Sequence, residues 1–402
     1  MTENKKNYKE KNNRHMKARI IALYLPQFHP IPENDEWWGP GFTEWTNVVK
    51  AKPLFKGHNQ PRIPADLGFY DLRLPETREL QAKLAREAGI EGFCYYHYWF
   101  GNGKQLLERP FNEVLASNKP DFPFCLCWAN HTWSNSTWQR KSGFSSNTLI
   151  EQLYPGKEDD IEHFMSVLPA FKDKRYITID GRPVFVLWEP RDHPHVQQWI
   201  NTWRELALKN GLPGIYFIGM THSTLAFKQD NNGKRTRAIP NLESSKDVFQ
   251  DILNMGFDAV NSYGKRRGEM LKDGKFVNLA KTALRRLGLP VGRRFDYSKT
   301  VKHFFAPEDC WENVYPTILP QWDRTPRKAA WDGIYTGASP KAFEQHILQA
   351  MEVIKDKAPE HKVIFMKSWN EWGEGNYVEP DEEFGHGWLQ AIRNAIDKDF
   401  QP

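Results

Sequence analysis

With 402 residues and 40% hydrophobic content the chain can fill one large core, and a barrel of alternating strands and helices with insertions reaches this length as one unit. Four cysteines are too few for a disulfide framework and no apolar run is long enough to span a bilayer. The net charge of +5 is mostly explained by the N-terminal leader and one internal segment, whereas 16 Trp, 14 Tyr and 25 Phe exceed what a core requires and point to aromatic surface for a ligand.

Residues 1–17 are charged and lack the apolar stretch of a signal peptide, so the expectation is a disordered basic leader and a cytoplasmic protein. The first buried strand is expected over Arg19–Pro26, delivering Tyr24, Gln27 and His29 to its carboxyl end. The polar, glycine-broken loop N-D-E-W-W-G-P-G-F-T-E-W-T-N-V that follows carries Trp37, Trp38, Glu44 and Trp45, and so much aromatic surface in a loop fits a fold over a ligand. A helix over Leu74–Ala88 stops at Gly89, and strand two is Gly92–Trp99, with His97 and Tyr98 near its end. Strand three, Phe122–Asn130, brings Trp128 and Asn130 before His131; Cys125 and Cys127 alternate along it with no ligand set at metal spacing, so neither metal nor cofactor is expected. A helical region over Gly156–Phe171, strand four at Pro183–Trp188 with Glu189 beyond it, and a helix over Val196–Asn210 come next. Strand five, Ile215–Met220, precedes His222; strand six, Phe257–Ser262, precedes Tyr263; strand seven, Asn313–Pro320, hands on Trp322 and Asp323. After a helix over Lys341–Ile354, strand eight begins at Val363 as a continuous apolar run and breaks at Trp369, Asn370, Glu371, Trp372 and Glu374, with Glu379 closing the stretch.

Eight buried strands with helical stretches between them predict a (β/α)8 barrel over residues 18–402, and polar or aromatic residues recur just past the carboxyl ends, the face on which such barrels build their sites. Glu371 and Glu374, turned by Gly373 and Gly375 beside indole rings, are the candidate catalytic pair. Sugar cleavage needs one carboxyl that donates a proton and one that stays ionised, and aromatic faces stack on pyranose rings. A basic insertion at about 264–310 holds twelve Lys or Arg over 265–302 and suits an anion: a charged glycan, a diphosphate-linked lipid carrier or a membrane surface touched peripherally. Nucleic acid is not expected, since the segment lacks interleaved aromatics and any nucleic-acid motif. The oligomeric state is not readable.

The motifs Y-L-P-Q-F-H (24–29), F-T-E-W-T-N-V (42–48), G-F-C-Y-Y-H-Y-W-F (92–100), P-F-C-L-C-W-A-N (123–130), Q-W-D-R-T-P-R (321–327) and S-W-N-E-W-G-E-G (368–375) resemble the WbsX-like proteins of bacterial polysaccharide gene clusters. That group is often labelled as glycosyltransferases and is similar to glycoside hydrolase family 99, the endo-α-mannosidases and endo-α-mannanases. The resemblance implies a metal-independent, retaining, endo-acting hydrolase on an α-mannoside-like polysaccharide or its precursor. It casts Glu371 as the base that assists the sugar's own 2-hydroxyl and Glu374 as the general acid. Where the group's pattern carries Glu, Arg, Asn and His, this chain has His131, Glu189, Arg324 and Gly373, departures on the expected rim that bear on the choice of sugar. Two other readings stand beside it: a glycosyltransferase of O-antigen or capsular polysaccharide synthesis, and a glycan-binding barrel without catalysis. The one Asp-x-Asp, Asp397 to Asp399, lies away from every strand end.

Overall fold

The computed structural model describes residues 18–135, 147–221, 227–229, 235–237, 241–286, 294–328 and 333–398; the expected leader and His222 lie outside them. Eight parallel strands close into a ring: β1 (Arg19–Tyr24), β2 (Gly92–Trp99), β3 (Phe124–Trp128), β4 (Arg182–Leu187), β5 (Tyr216–Thr221), β6 (Ala259–Ser262), β7 (Val314–Ile318) and β8 (Val363–Met366). Each strand pairs with the next in the chain, and β1 closes the ring by pairing with both β2 and β8, with Ala22 opposite Phe93 on one side and Met366 on the other. This is the expected (β/α)8 barrel. Its strands read as unbroken apolar runs because both faces are buried, one in the barrel interior and one under the helices.

The observed strands are one or two residues shorter at several ends than the apolar runs suggest. Leu25, for instance, has left the ladder: its N–H is taken by the Asn370 side chain. Between strands run α1 (Pro75–Ala88), α2 (Arg109–Ser117), α3 (Lys157–Phe171), α4 (Val196–Lys209), α5 (Lys246–Asn254), α6 (Lys265–Arg286), α7 (Pro340–Ile354) and α8 (Gly387–Lys398). Their ends follow local chemistry. Gly89 closes α1 in the left-handed conformation, and Ser339 caps α7 by accepting from Ala342 N, with Pro340 at the first helical position. No helix among the described residues is long and apolar enough to cross a membrane.

The basic insertion is α6, kinked at Gly274, followed by a strand at Arg294–Asp296 and a short helix at Tyr297–Val301. It makes a small core of its own with Phe295, Tyr297, Val301, Phe304, Leu319, Trp322 and Tyr335. Several of its charges are used internally: Arg267 donates to the carbonyls of Leu242, His303 and Phe305, and Lys272 pairs with Asp273. This satellite core sets Trp322 as a wall above the barrel mouth.

Candidate active site

The loop after β8 is stitched to β1. Asn370 accepts from Leu25 N at 2.7 Å and donates to Leu25 O at 3.0 Å, while Trp369 N donates to Leu23 O. A hairpin pairs Asn370–Glu371 with Asn376–Tyr377, and its tip is a single tight turn over Trp372–Glu374. Gly375 ends that turn at φ 57°, and a Cβ there would come within 2.9 Å of Asp323 N. Glu371 N donates to Ser368 Oγ, which holds the start of the turn. Glu371 and Glu374 are thus fixed on a rigid turn at the carboxyl end of the barrel, as the turn glycines predict.

Both carboxylates line one cavity of about 350 Å³ at that end of the barrel, within the range of small-ligand sites. Its walls are aromatic, with Trp38, Trp133, Trp188 and Trp322 and the phenols of Tyr96, Tyr98 and Tyr263. Its charged part consists of Glu371, Glu374, Arg324, Arg327 and Lys367. Arg327 Nη1 lies 2.7 Å from Glu374 Oε1 and 3.6 Å from Glu371 Oε1. Lys367 Nζ lies 3.2 Å from Glu371 Oε2 and 3.8 Å from Glu374 Oε2. The two acids therefore share two cations, and Arg324 Nε adds a third at 3.1 Å from Glu374 Oε1.

Burial alone would raise the Glu374 carboxyl, but Arg324, Arg327, Lys367 and Lys265 outweigh it and hold the group ionised, well below the usual carboxylate range. Lys367 is itself buried, and its ammonium sits 4.6 Å from the Trp188 ring centre, within about 6 Å of Tyr96, Tyr263 and Trp322. Such rings compensate a desolvated cation, a contact worth up to about 2 kcal/mol. His131 also lines the cavity, and burial, with Lys367 nearby, pushes its imidazole down to about 4, so it presents a neutral ring.

Of the residues singled out from sequence, the cavity collects Gln27, Trp38, Tyr98, His131, Tyr263, Trp322, Arg324, Glu371 and Glu374. Others stand behind it as supports. Asn130 ties the ends of β3 and β4 together by donating to Glu189 O and accepting from Glu189 N, and Asp323 accepts from Gln60 and pairs with His58 at 2.8 Å. Glu379 is buried and accepts from Tyr70, Gln81 and Trp372, while Tyr24 donates to Gln81 in the layer below. His97 contacts His163 at 2.8 Å, and His29 Nδ1 approaches Pro26 O. Trp45, Trp128, Trp369 and Trp372 are buried in packing; Trp45 donates to Tyr70 O, Trp128 to Trp99 O, and Trp372 stacks on Tyr377 at 3.6 Å. None of these lines the cavity.

Several functional residues have a role that spacing did not reveal. Lys367 follows directly on β8 and ends its apolar run, a signal in itself. Arg327 ends the Q-W-D-R-T-P-R motif, and Glu44 sits in the F-T-E-W-T-N-V loop. Trp188 lies just past β4, and Trp133 opens a short strand, Trp133–Ser134, beyond β3.

Comparison with known proteins agrees with this architecture. The GH99 endo-α-mannosidase from Bacteroides thetaiotaomicron superposes with a TM-score of 0.56 at 14% identity, covering 96% of this chain and 98% of that one. A glycoside hydrolase-like protein superposes with a TM-score of 0.53 at 16% identity, covering 95% and 94%. At these identities the likeness establishes the shared fold. The uncharacterized protein WxcX of Xanthomonas campestris pv. campestris, in two strains, is 36% identical over 382 residues, 94% of this chain and 50% of the relative, so the chain spans about half the length of the curated relatives it matches. The family described as "Glycosyltransferase WbsX" matches residues 20–392, and the chain belongs to that family.

Proposed function

We propose that the cavity is the active site of a retaining glycoside hydrolase acting within an α-mannoside-like bacterial polysaccharide or its precursor, with Glu371 and Glu374 as the working pair. The observation that carries this reading is that both carboxylates line one aromatic-walled cavity and share Arg327 and Lys367. Arg327 Nη1 lies within 3.6 Å of one oxygen of each acid and Lys367 Nζ within 3.8 Å of the other, so both carboxylates can reach one glycosidic bond.

The division of roles turns on the proton. Glu374 is ionised among these cations, which suits a base or a stabiliser of positive charge at the anomeric carbon. To serve as the acid, as the resemblance implies, it must first gain a proton when the glycan displaces Arg324, the most exposed of the three cations around it. Glycosides with good leaving groups separate the two assignments, because such a leaving group needs no acid. The acid's Gln variant keeps cleaving an activated aryl glycoside while losing natural oligosaccharide. The partner's Gln variant loses both.

The family description keeps a second reading in view, transfer from a nucleotide sugar. Its Asp-x-Asp candidate begins at Asp397 on α8, where Asp397 pairs with Arg393 on an exposed surface. Calorimetric titration with nucleotide sugars and nucleoside diphosphates decides between the readings: saturable micromolar binding favours the transferase, and no binding favours the hydrolase.

A further inference from the structure

Glu44 opens the short helix Glu44–Val48 on the loop after β1, is fully buried, and lines no part of the cavity. Its Oε1 accepts from Arg327 Nε at 3.1 Å, from Arg327 Nη2 at 2.9 Å and from Gly373 N at 2.9 Å. Arg327 turns its remaining nitrogen, Nη1, toward Glu374 and Glu371. A guanidinium left to itself forks onto one carboxylate with two parallel bonds. Here the fork is divided, one edge given to Glu44 and one tip to the catalytic pair.

Gly373 is part of the same device. A Cβ at that position would lie 2.0 Å from Glu44 Oε1 and 3.0 Å from Arg327 Nε, so the Glu44 carboxylate occupies the volume that any side chain at 373 would need. The backbone N–H that this close approach leaves open is the third donor to Oε1.

We infer that Glu44 is the positioning residue of this site: it grips Arg327 from behind, through the space left by Gly373, and so keeps Nη1 aimed between Glu371 and Glu374. Without that grip the guanidinium turns to fork Glu374 alone, and Glu371 loses its share of the charge. The groups facing Glu44 are Arg327 from the β7–α7 loop and Glu371, Gly373 N and Glu374 from the β8 turn. Burial, opposed by Arg327 and reinforced by the two catalytic acids, pushes the Glu44 carboxyl up to about 7. Glu44 therefore also sets the charge behind the pair near neutral pH.

The assignment of Arg327 and the acids as machinery rests on the proposed hydrolase, so the primary test avoids activity. In the full chain, the Arg327 Nε–H is followed by 15N–1H spectroscopy, assigned by its loss in Arg327→Lys. A buried Nε–H bonded to a carboxylate gives a resolved, slowly exchanging signal in wild type, and Glu44→Gln, which keeps an acceptor, retains it. Glu44→Ala and Gly373→Ala lose it. The wild-type signal also moves with pH about a midpoint near 7, and that movement is absent in Glu44→Gln. A signal that survives unchanged in Glu44→Ala or Gly373→Ala overturns the inference; if the alanine variants fail to fold, a signal in Glu44→Gln at the wild-type position and exchange rate, indifferent to the loss of the acceptor's charge, overturns it. Where glycan cleavage is measurable, Glu44→Ala lowers kcat by about 10²-fold with KM little changed, the signature of misplaced rather than missing groups. If the wild type cleaves no glycan, the hydrolase reading fails while the spectroscopic arms still judge Glu44.

Discussion

Glu374 and Arg327 meet at 2.7 Å with only 9% and 7% of their side chains exposed, the shortest charge contact of the site and one largely shut off from solvent. Removing one member of such a pair leaves the other buried without compensation. Arg327→Met, which keeps the length and apolar stem, strands Glu44, Glu371 and Glu374 together. We expect it to lower the free energy of unfolding by about 3–5 kcal/mol in urea titrations. A loss below about 1 kcal/mol would mean that the acids find other partners and that Arg327 is not the hub.

Glu379 offers a pH test beneath the site. Burial pushes it up to about 7, against the hydrogen bonds from Trp372, Gln81 and Tyr70 that favour its ionised form. Its folded value lies above its unfolded one of about 4.5, so the folded protein binds the extra proton between those limits. Stability from this group is complete below pH of about 4.5 and is lost as pH rises through about 7. In Glu379→Gln that decline is absent, and the wild-type minus variant difference changes by on the order of 3 kcal/mol across the window. Parallel curves for the two proteins would contradict the assignment.

The pair His97 and His163 behaves in the opposite sense. Burial lowers both imidazoles, His97 to about 4, and the Nε2 atoms approach at 2.8 Å, so one must accept and the two cannot both be protonated in place. The unfolded chain binds more protons between pH of about 4 and 6.5, and stability falls as pH drops through that range. His163→Gln should flatten the acid limb of the stability curve by up to about 1.4 kcal/mol per pH unit. An acid limb as steep as that of wild type would refute this.

The barrel was legible because each strand, buried on both faces, reads as an uninterrupted apolar run with a polar break at its carboxyl end. The carboxylate pair was legible for a related reason: Gly373 and Gly375 announce a tight turn, which the structure places at the tip of the hairpin beyond β8. What spacing could not reveal is which side chains meet across the barrel mouth. Arg327 binds Glu44 from 283 residues away, a contact that exists only after the ring closes. The tryptophans misled in a consistent way. Trp45, Trp128 and Trp372 found partners for their indole N–H groups in Tyr70 O, Trp99 O and Glu379, and so packed inward, leaving the cavity wall to Trp38, Trp133, Trp188 and Trp322.

The most direct test of the account incubates oligosaccharides of the host's own surface polysaccharide with wild type, Glu371→Gln and Glu374→Gln, and follows chain length by mass spectrometry. The account predicts shorter products with wild type and unchanged chains with both variants, each variant remaining folded by circular dichroism and still binding the glycan. Shortening that proceeds in either variant at the wild-type rate would contradict the claim that these two carboxylates do the chemistry.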